Sequence, residues 1–293
     1  MPQVRRGRDH VATLRVLQAG DEPALEAFLS GHADSSMFLR ANARAAGLVD
    51  HGRPLEATYI AAFEGDRITA VAAHCWNGNI LVQAPRQLND VVRAAVARSG
   101  RAVAGLLGPW EQVVAARQAL GLEHAPTAPT GRDELFSLTL SNLIVPEPLR
   151  ARRVTCRRSD AADLDLLVAW RVAFNVESLG HTDGPDLRAR SREDVTRTHE
   201  AGSIWMLLAG SEPVSCSAFN SRLPDMVQIG GVWTPPALRG RGYARSVVAG
   251  SLLDARRDGV TRAVLFAEDP AAKRAYLPLG FRVVGDYGLI LFT

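Results

Sequence analysis

Apolar positions along the chain follow two spacings, and each spacing predicts a different element. Continuous or alternating apolar runs predict strands, and apolar residues three or four positions apart predict helices. In the second half, this pattern predicts helices at residues 160–174, 241–258 and 271–279, and strands at 204–208, 214–220, 226–234, 262–267 and 287–292. The predicted order is therefore helix, three strands, helix, strand, helix and strand.

The first half repeats this order. Helices are predicted at residues 22–29, 88–97 and 110–120, and strands at 58–63, 68–75, 79–83, 102–107 and 134–140. We interpret the chain as two copies of one α/β unit, each a mixed, mostly antiparallel twisted sheet flanked by helices. Pro146 and Pro148 break any helix between the copies, so the predicted domains are residues 1–147 and 148–293.

Composition limits the class of protein. Of the 293 residues, 47% are hydrophobic and 22% are charged, with a formal net charge of +3, which is typical of a globular chain. No uncharged apolar run approaches the ~18 residues of a membrane helix, and no apolar segment typical of a signal peptide follows the first residues. The three widely spaced cysteines predict neither a disulfide framework nor a zinc site. We expect a cytoplasmic protein that binds no metal ion, nucleic acid or membrane.

The two copies differ in the loop between their third strand and the following helix. The second copy has Arg239-Gly240-Arg241-Gly242 there, whereas residues 83–89 of the first copy contain no glycine. Two glycines permit positive φ and close approach of a ligand to the backbone. The loop leads into a helix N-terminus, where amide N–H groups lack intrahelical partners. These donors and the helix dipole predict a pyrophosphate site, to which Arg239 and Arg241 add charged donors.

A glycine-eased turn with no ligand would account for the same residues. Two other phosphate-binding motifs are excluded. A P-loop requires a Gly-Lys pair, and this chain has none. A dinucleotide-binding fingerprint requires a small residue three positions after the second glycine, where Arg245 stands.

The loop and its surroundings resemble the GCN5-related N-acetyltransferase (GNAT) family. Arg239-x-x-Gly242-x-Ala244, after a strand and Thr234-Pro235-Pro236, resembles the family signature [Q/R]-x-x-G-x-[G/A]. The order of elements and the later Asp269-Pro270, Tyr276 and Gly280-Phe281 agree with this resemblance over about residues 152–293. The whole chain resembles a tandem acetyltransferase whose first copy has lost the signature.

The resemblance implies acetyl-CoA as the co-substrate. It would lie in a cleft where two parallel strands, predicted at residues 226–234 and 262–267, splay apart. The pantetheine arm would pair with the strand backbone, and the loop amides would hold the pyrophosphate. The implied cofactor-binding residues are Val232, Trp233, Thr234, Arg239, Gly240, Arg241, Gly242, Tyr243, Ala244, Asp269 and Ala272. Asp269 departs from the asparagine that many members have.

The resemblance also implies an acid, and the chemistry requires a base. Tyr276 would protonate the leaving thiolate; otherwise it is a core aromatic residue. Because a free amine must form from an ammonium group, a general base would assist. Glu177 and Glu268 are the first candidates and His181 is the third. Glu177 is predicted to follow the helix at 160–174 and to overhang the substrate side.

The expected function is transfer of an acetyl group from acetyl-CoA to an amine by direct attack. The alternative is a non-catalytic acyl-CoA-binding regulatory module, which would keep the phosphate loop and dispense with the acid and base. The acceptor is expected to be a small-molecule or peptide amine, and the protein a monomer or homodimer. The first copy would complete the acceptor site or form a dimer interface.

Overall fold

The computed structural model describes residues 12–128, 131–268 and 270–293. In chain order, the strands and helices are β1 (Thr13–Val16), α1 (Glu22–Ser30), α2 (Met37–Ala46), β2 (Ala57–Glu64), β3 (Arg67–Cys75), β4 (Asn79–Gln83), α3 (Leu88–Ser99), β5 (Gly105–Pro109), α4 (Trp110–Ala119), β6 (Gly131–Thr139), α5 (Glu147–Arg150), β7 (Thr155–Arg158), α6 (Leu164–Leu179), α7 (Pro185–Glu200), β8 (Ile204–Ala209), β9 (Glu212–Arg222), β10 (Met226–Trp233), α8 (Tyr243–Arg257), β11 (Arg262–Ala267), α9 (Pro270–Tyr276) and β12 (Arg282–Leu291). The chain divides into two compact units, Met1–Asp133 with Gly285–Thr293, and Glu134–Val284.

The first unit is a sheet with helices on both faces. Its strands lie in the order β1-β2-β3-β4-β5-β12, with β4 and β5 parallel and the other pairs antiparallel. Neighbouring residues of a strand point to opposite faces, and Ala62 and Phe63 accordingly lie in two different hydrophobic clusters. Helices α1 and α2 pack in one cluster, and α3 and α4 in the other.

The second unit has the same layered arrangement. Its strands lie in the order β6-β11-β10-β9-β8-β7, and β10 and β11 form the parallel pair. Helices α8 and α9 pack on one face, in the cluster that includes Val247 and Tyr276. Helices α6 and α7 pack on the other face, where Leu167 and Val195 are buried. The predicted α/β class, with helices flanking mixed sheets, is confirmed.

The division into units differs from the predicted boundary at 147/148. Strand β6 pairs with β11 of the second unit from Glu134 to Thr139, and Tyr287–Leu291 of β12 pair with β5 of the first unit. Each half of the sequence thus contributes its last strand to the sheet of the other half. Periodicity identifies a strand but does not identify its partner, because pairing is a long-range property.

Five elements escape the apolar pattern. They are α2, α5, α7 and the short strands β1 and β7. Helix α5 lies where Pro146 and Pro148 were expected to break any helix; that prediction is wrong, because Pro148 stands in the first turn, where proline is tolerated. Helix α7 is the longest of the five elements and is strongly polar, with only Leu187, Ser191 and Val195 buried. Too few apolar positions recur along α7 to form a helical stripe.

Replacing Leu138 by alanine should destabilise the sheet of the second unit. Leu138 lies on β6 opposite Ala263 of β11 and is 2% exposed. Truncation in such a site costs about 2–5 kcal/mol, so amides of β11 should exchange hydrogen faster. Leu277→Ala, at a position that is 46% exposed, is the matched control and should change little. Unchanged protection of β11 in Leu138→Ala would contradict the assignment of β6 to this sheet.

Candidate functional site

The parallel strands β10 and β11 separate along their length. Their mutual register ends at Gln228↔Val264, although β10 continues to Trp233 and β11 to Ala267. Strand β9 pairs with the other edge of β10 as far as Trp233. Beyond Gln228, the inner edge of β10 therefore has no strand partner among the described residues. The splayed pair expected in the second copy is confirmed, and its free edge can take an extended ligand.

A β-bulge interrupts β10 in this free stretch. The register with β9 shifts between Gly230 and Trp233, and Gly231 has a φ of +57°, which favours glycine. Val232 lies within the bulge, and Thr234 follows it with its hydroxyl 2.9 Å from that of Ser215. A bulge turns backbone groups out of the regular ladder, and here the Trp233 carbonyl accepts from the Ser215 hydroxyl of β9 at 2.8 Å.

The loop after β10 presents a row of unpaired amides. Gly240 and Gly242 have φ values of +77° and +78°, and a Cβ on either would have no heavy atom within 4 Å. Gly242 caps α8, and the amide of Ser246 donates to the Gly242 carbonyl. The N–H groups of residues 240–245 donate to none of the residues that the structure describes. The loop thus offers an open set of donors at the positive end of a helix dipole.

The side chain of Arg239 is held away from this row. Its Nε donates to the Thr234 carbonyl at 3.0 Å, and its guanidinium forms a two-pronged pair with Glu177, with contacts of 2.7 and 3.0 Å. The same guanidinium lies 4.9 Å from the centroid of the Trp233 ring. Arg239 therefore connects the end of β10 to helix α6, and we expect its backbone rather than its side chain to face a ligand in the loop.

Two further arginines near the amide row, Arg241 and Arg245, form no ion pair with a described residue. Arg241 is exposed, and its Nη2 lies 3.5 Å from the Ala237 carbonyl. Arg245 donates through Nη2 to the Arg274 carbonyl at 2.9 Å, while its buried Nε has no partner in the described part of the chain. Both add positive charge beside the amide row, which favours an anion there.

Tyr276 lies at the end of α9 in an aromatic environment. Its ring packs edge-on against Phe136 and Phe281, at centroid distances of 6.4 and 6.1 Å. Burial raises the pKa of the Tyr276 hydroxyl to about 12, because a phenolate is poorly solvated there. Within the described residues the hydroxyl makes no hydrogen bond. Tyr276 thus keeps its proton at neutral pH and has it free to donate.

The three candidate bases have different surroundings. Helix α6 extends to Leu179, so Glu177 lies on the helix; the prediction that it follows the helix is wrong, since the last turn continues past the apolar stripe. Glu268 directly follows β11, is exposed and makes no ion pair with a described residue. His181 is exposed beyond the end of α6, where its backbone N–H donates to the Asn175 carbonyl at 3.2 Å.

Two predicted cofactor contacts, Asp269 and the Ala272 side chain, lie outside the described part of the chain. Ala272 itself lies on α9. The assignment of both residues stays a prediction.

Sequence reasoning missed Arg171 and a groove on helices α6 and α7. Arg171 lies on the face of α6 that packs against the sheet, between Leu167 and Phe174. The groove has a volume of about 740 Å³ and an aliphatic floor that includes Val172 and Val176. Arg171 had a signal in the sequence, since it is a charged residue on an otherwise apolar stripe.

Two negative findings apply to the residues that the structure describes. No group of three or more histidine, cysteine, aspartate or glutamate side chains could hold a metal ion. No helix is both long and apolar enough to cross a membrane.

A splayed pair of parallel strands, followed by a loop of unpaired backbone N–H groups, defines an α/β domain suited to a phosphate-bearing ligand. Residues 166–281 match the model of the acetyltransferase (GNAT) family. The second unit therefore belongs to the GNAT superfamily. A search of curated proteins found no significant match.

Solved structures share the fold at low sequence identity. A GCN5-related N-acetyltransferase from Sphaerobacter thermophilus is 17% identical, with a TM-score of 0.57 over 95% of this chain and 94% of that one. A GNAT-family acetyltransferase from Colwellia psychrerythraea is 12% identical, with a TM-score of 0.52 over 96% of this chain and 100% of that one. A tandem GNAT protein from the clavulanic acid biosynthesis pathway is 12% identical, with a TM-score of 0.51 over 97% and 98%. The similarity to the tandem GNAT protein thus extends over both units.

Proposed function

We propose that the second unit binds acetyl-CoA and transfers its acetyl group to an amine by direct attack. Proteins of the GNAT family use acetyl-CoA, and the observation that carries the proposal is the amide row of residues 240–245. Its donors are unpaired within the described chain, and the space in front of Gly240 and Gly242 is open. These features fit a pyrophosphate, which needs several convergent donors and close approach to the backbone.

The free edge of β10 fits the amide-bearing arm of the same molecule. It runs from Gln228 to Trp233, and the chain then leads through residues 234–239 into the amide row, so one elongated ligand can contact both. When bound, the ligand supplies a thioester, whose carbonyl carbon is the electrophile. We assign the orientation of the arm to backbone groups at Val232, Trp233 and Thr234.

Two proton transfers remain for side chains. We assign the acid to Tyr276, whose Oη carries a proton that no described residue accepts. We assign the base to Glu177 or Glu268. Glu177 is paired with Arg239, which fixes its position, whereas Glu268 is free of ion pairs among the described residues. An acid placed for the departing group and a base for the amine would each contribute about 10²–10⁴-fold.

The first unit lacks the features that support a ligand at the corresponding place. Its parallel strands remain close beyond their last pair, since a Cβ on Gly108 would lie 2.6 Å from the Val82 carbonyl oxygen. The backbone N–H of Ala84 is already bonded to the Gln112 side chain at 2.6 Å. Gln87, which is not a glycine, caps the following helix with a φ of +45°. We therefore propose one acetyl-CoA site per chain.

Titration calorimetry tests this stoichiometry. One molecule of acetyl-CoA should bind per chain, and two equivalent sites would contradict the proposal. A panel of amines, followed by thiol release and mass spectrometry of the product, then tests transfer. Binding of acetyl-CoA without turnover of any amine would favour the non-catalytic acyl-CoA-binding module.

A further inference from the structure

Arg171 brings a guanidinium to the bulge of β10. The group lies 3.1 Å from the point that a Cβ on Gly231 would occupy, and the side chain is 16% exposed. It lines a small cavity of about 20 Å³ together with the aromatic rings of Trp170, Phe174 and Trp233. A charged group is thus directed at the bulge in the free edge of β10.

The charge of Arg171 is only partly compensated. Its Nη2 lies 3.2 Å from a carboxylate oxygen of Asp194, and the other oxygen of that carboxylate accepts from Arg197. Two guanidinium groups therefore share one carboxylate. Arg171 also lies over the face of Phe174, with its guanidinium carbon 5.8 Å from the ring centroid.

The other polar groups near Arg171 do not supply the missing anion. Burial raises the pKa of the adjacent Cys216 thiol to about 12, so the thiol is neutral. No described residue accepts a hydrogen bond from Arg171 Nε or Nη1. Guanidinium groups carry five donors in a fork that matches a carboxylate, and a mostly buried cation with spare donors is costly unless a ligand completes it.

We propose that Arg171 binds a carboxylate of the acceptor, so that the substrate is an amine that also carries a carboxylate, such as an amino acid or a short peptide. This inference rests on the proposed function. Gly231 lies on the strand edge assigned to the arm of acetyl-CoA. An acceptor whose carboxylate pairs with Arg171 would therefore place its amine close to the thioester. Trp233 lines both the small cavity and the groove of about 740 Å³, and we assign the rest of the acceptor to that groove.

The test compares acceptors that differ only in the carboxylate. Phenylalanine, tyrosine, tryptophan and histidine are paired with phenethylamine, tyramine, tryptamine and histamine, and glycine and short peptides extend the panel. Among the acceptors that are turned over, kcat/KM should be at least about tenfold higher for the carboxylated member. Arg171→Gln should lower kcat/KM for that member by about 10–100-fold, as expected for loss of a charge-assisted pair, and should leave the matched amine within about twofold.

The control is Arg257→Gln. Arg257 lies at the end of α8, is 79% exposed and has its guanidinium 4.0 Å from Asp254, so its loss should leave kcat/KM unchanged for both members of a pair. Arg171→Lys keeps the positive charge but loses the forked pair of N–H donors. Its kcat/KM for the carboxylated acceptor should therefore lie between the values of the parent and of Arg171→Gln. If Arg171→Gln lowers kcat/KM equally for the carboxylated acceptor and its matched amine, the inference is overturned and Arg171 only stabilises the bulge of β10.

A binding experiment covers the case in which the panel gives no turnover. With CoA present, N-acetylphenylalanine should bind more tightly than N-acetylphenethylamine in calorimetry, and Arg171→Gln should remove the difference. Equal binding of the two by the parent would overturn the inference. Failure to bind acetyl-CoA at all would instead contradict the proposed function.

Discussion

Replacing Gly242 by valine should abolish measurable binding of acetyl-CoA while leaving the fold intact. Gly242 has a φ of +78° and caps α8, and a β-branched residue is strained in that region. A Cβ there meets no protein atom within 4 Å, so the added methyl groups enter the open space that we assign to the pyrophosphate. We expect the dissociation constant to rise by at least about 100-fold, because blocked amides lose several charge-assisted hydrogen bonds at once.

The control for backbone strain is Gly259→Val. Gly259 has a φ of +90°, and a Cβ there also has no neighbour within 4 Å. It follows the other end of α8, roughly 22 Å away at 1.5 Å per residue. Both variants should lose similar stability in thermal unfolding, and only Gly242→Val should lose affinity in calorimetry. If Gly242→Val binds as tightly as the parent, the loop is a turn and the cofactor assignment loses its main support.

The parts of the site that the sequence predicted are local ones. The strand predicted at 226–234 is β10 (Met226–Trp233), and the two glycines of the loop have the positive φ values that their residue type suggests. Both features are local: a run of apolar residues predicts a strand, and glycine, which has no Cβ, readily adopts a positive φ. Residues within one loop were therefore enough to predict the amide row.

Long-range contacts could not be predicted in this way. The sequence predicts that Arg239 donates to a phosphate, but its side chain pairs with Glu177 of α6, which is distant in the sequence. The exchange of β6 and β12 between the two halves of the sequence likewise depends on pairings such as Phe136 with Leu265, which are distant in the sequence. Periodicity along one segment contains no information about such partners.

Replacing Tyr276 by phenylalanine should lower kcat by about 10–10³-fold with little change in the KM for acetyl-CoA. The substitution removes one hydroxyl and leaves the ring, which packs against Phe136 and Phe281, so stability should be nearly unchanged. If Oη donates its proton as charge develops on the leaving sulfur, the interaction exists mainly in the transition state and its loss appears in kcat. Because burial raises the pKa of Tyr276 to about 12, the group stays protonated from pH 6 to 10, and we expect no alkaline loss of rate from this residue.

The control for the loss of a buried hydroxyl is Tyr59→Phe. Tyr59 is fully buried in the first unit, and its hydroxyl has no partner among the described residues. Removing an unsatisfied buried hydroxyl should be neutral or stabilising and should leave kcat unchanged. The measurement needs an acceptor from the amine panel and conditions in which chemistry limits the rate. An unchanged kcat in Tyr276→Phe would mean that solvent protonates the thiolate, and a raised KM with unchanged kcat would make Tyr276 a contact for bound acetyl-CoA rather than an acid.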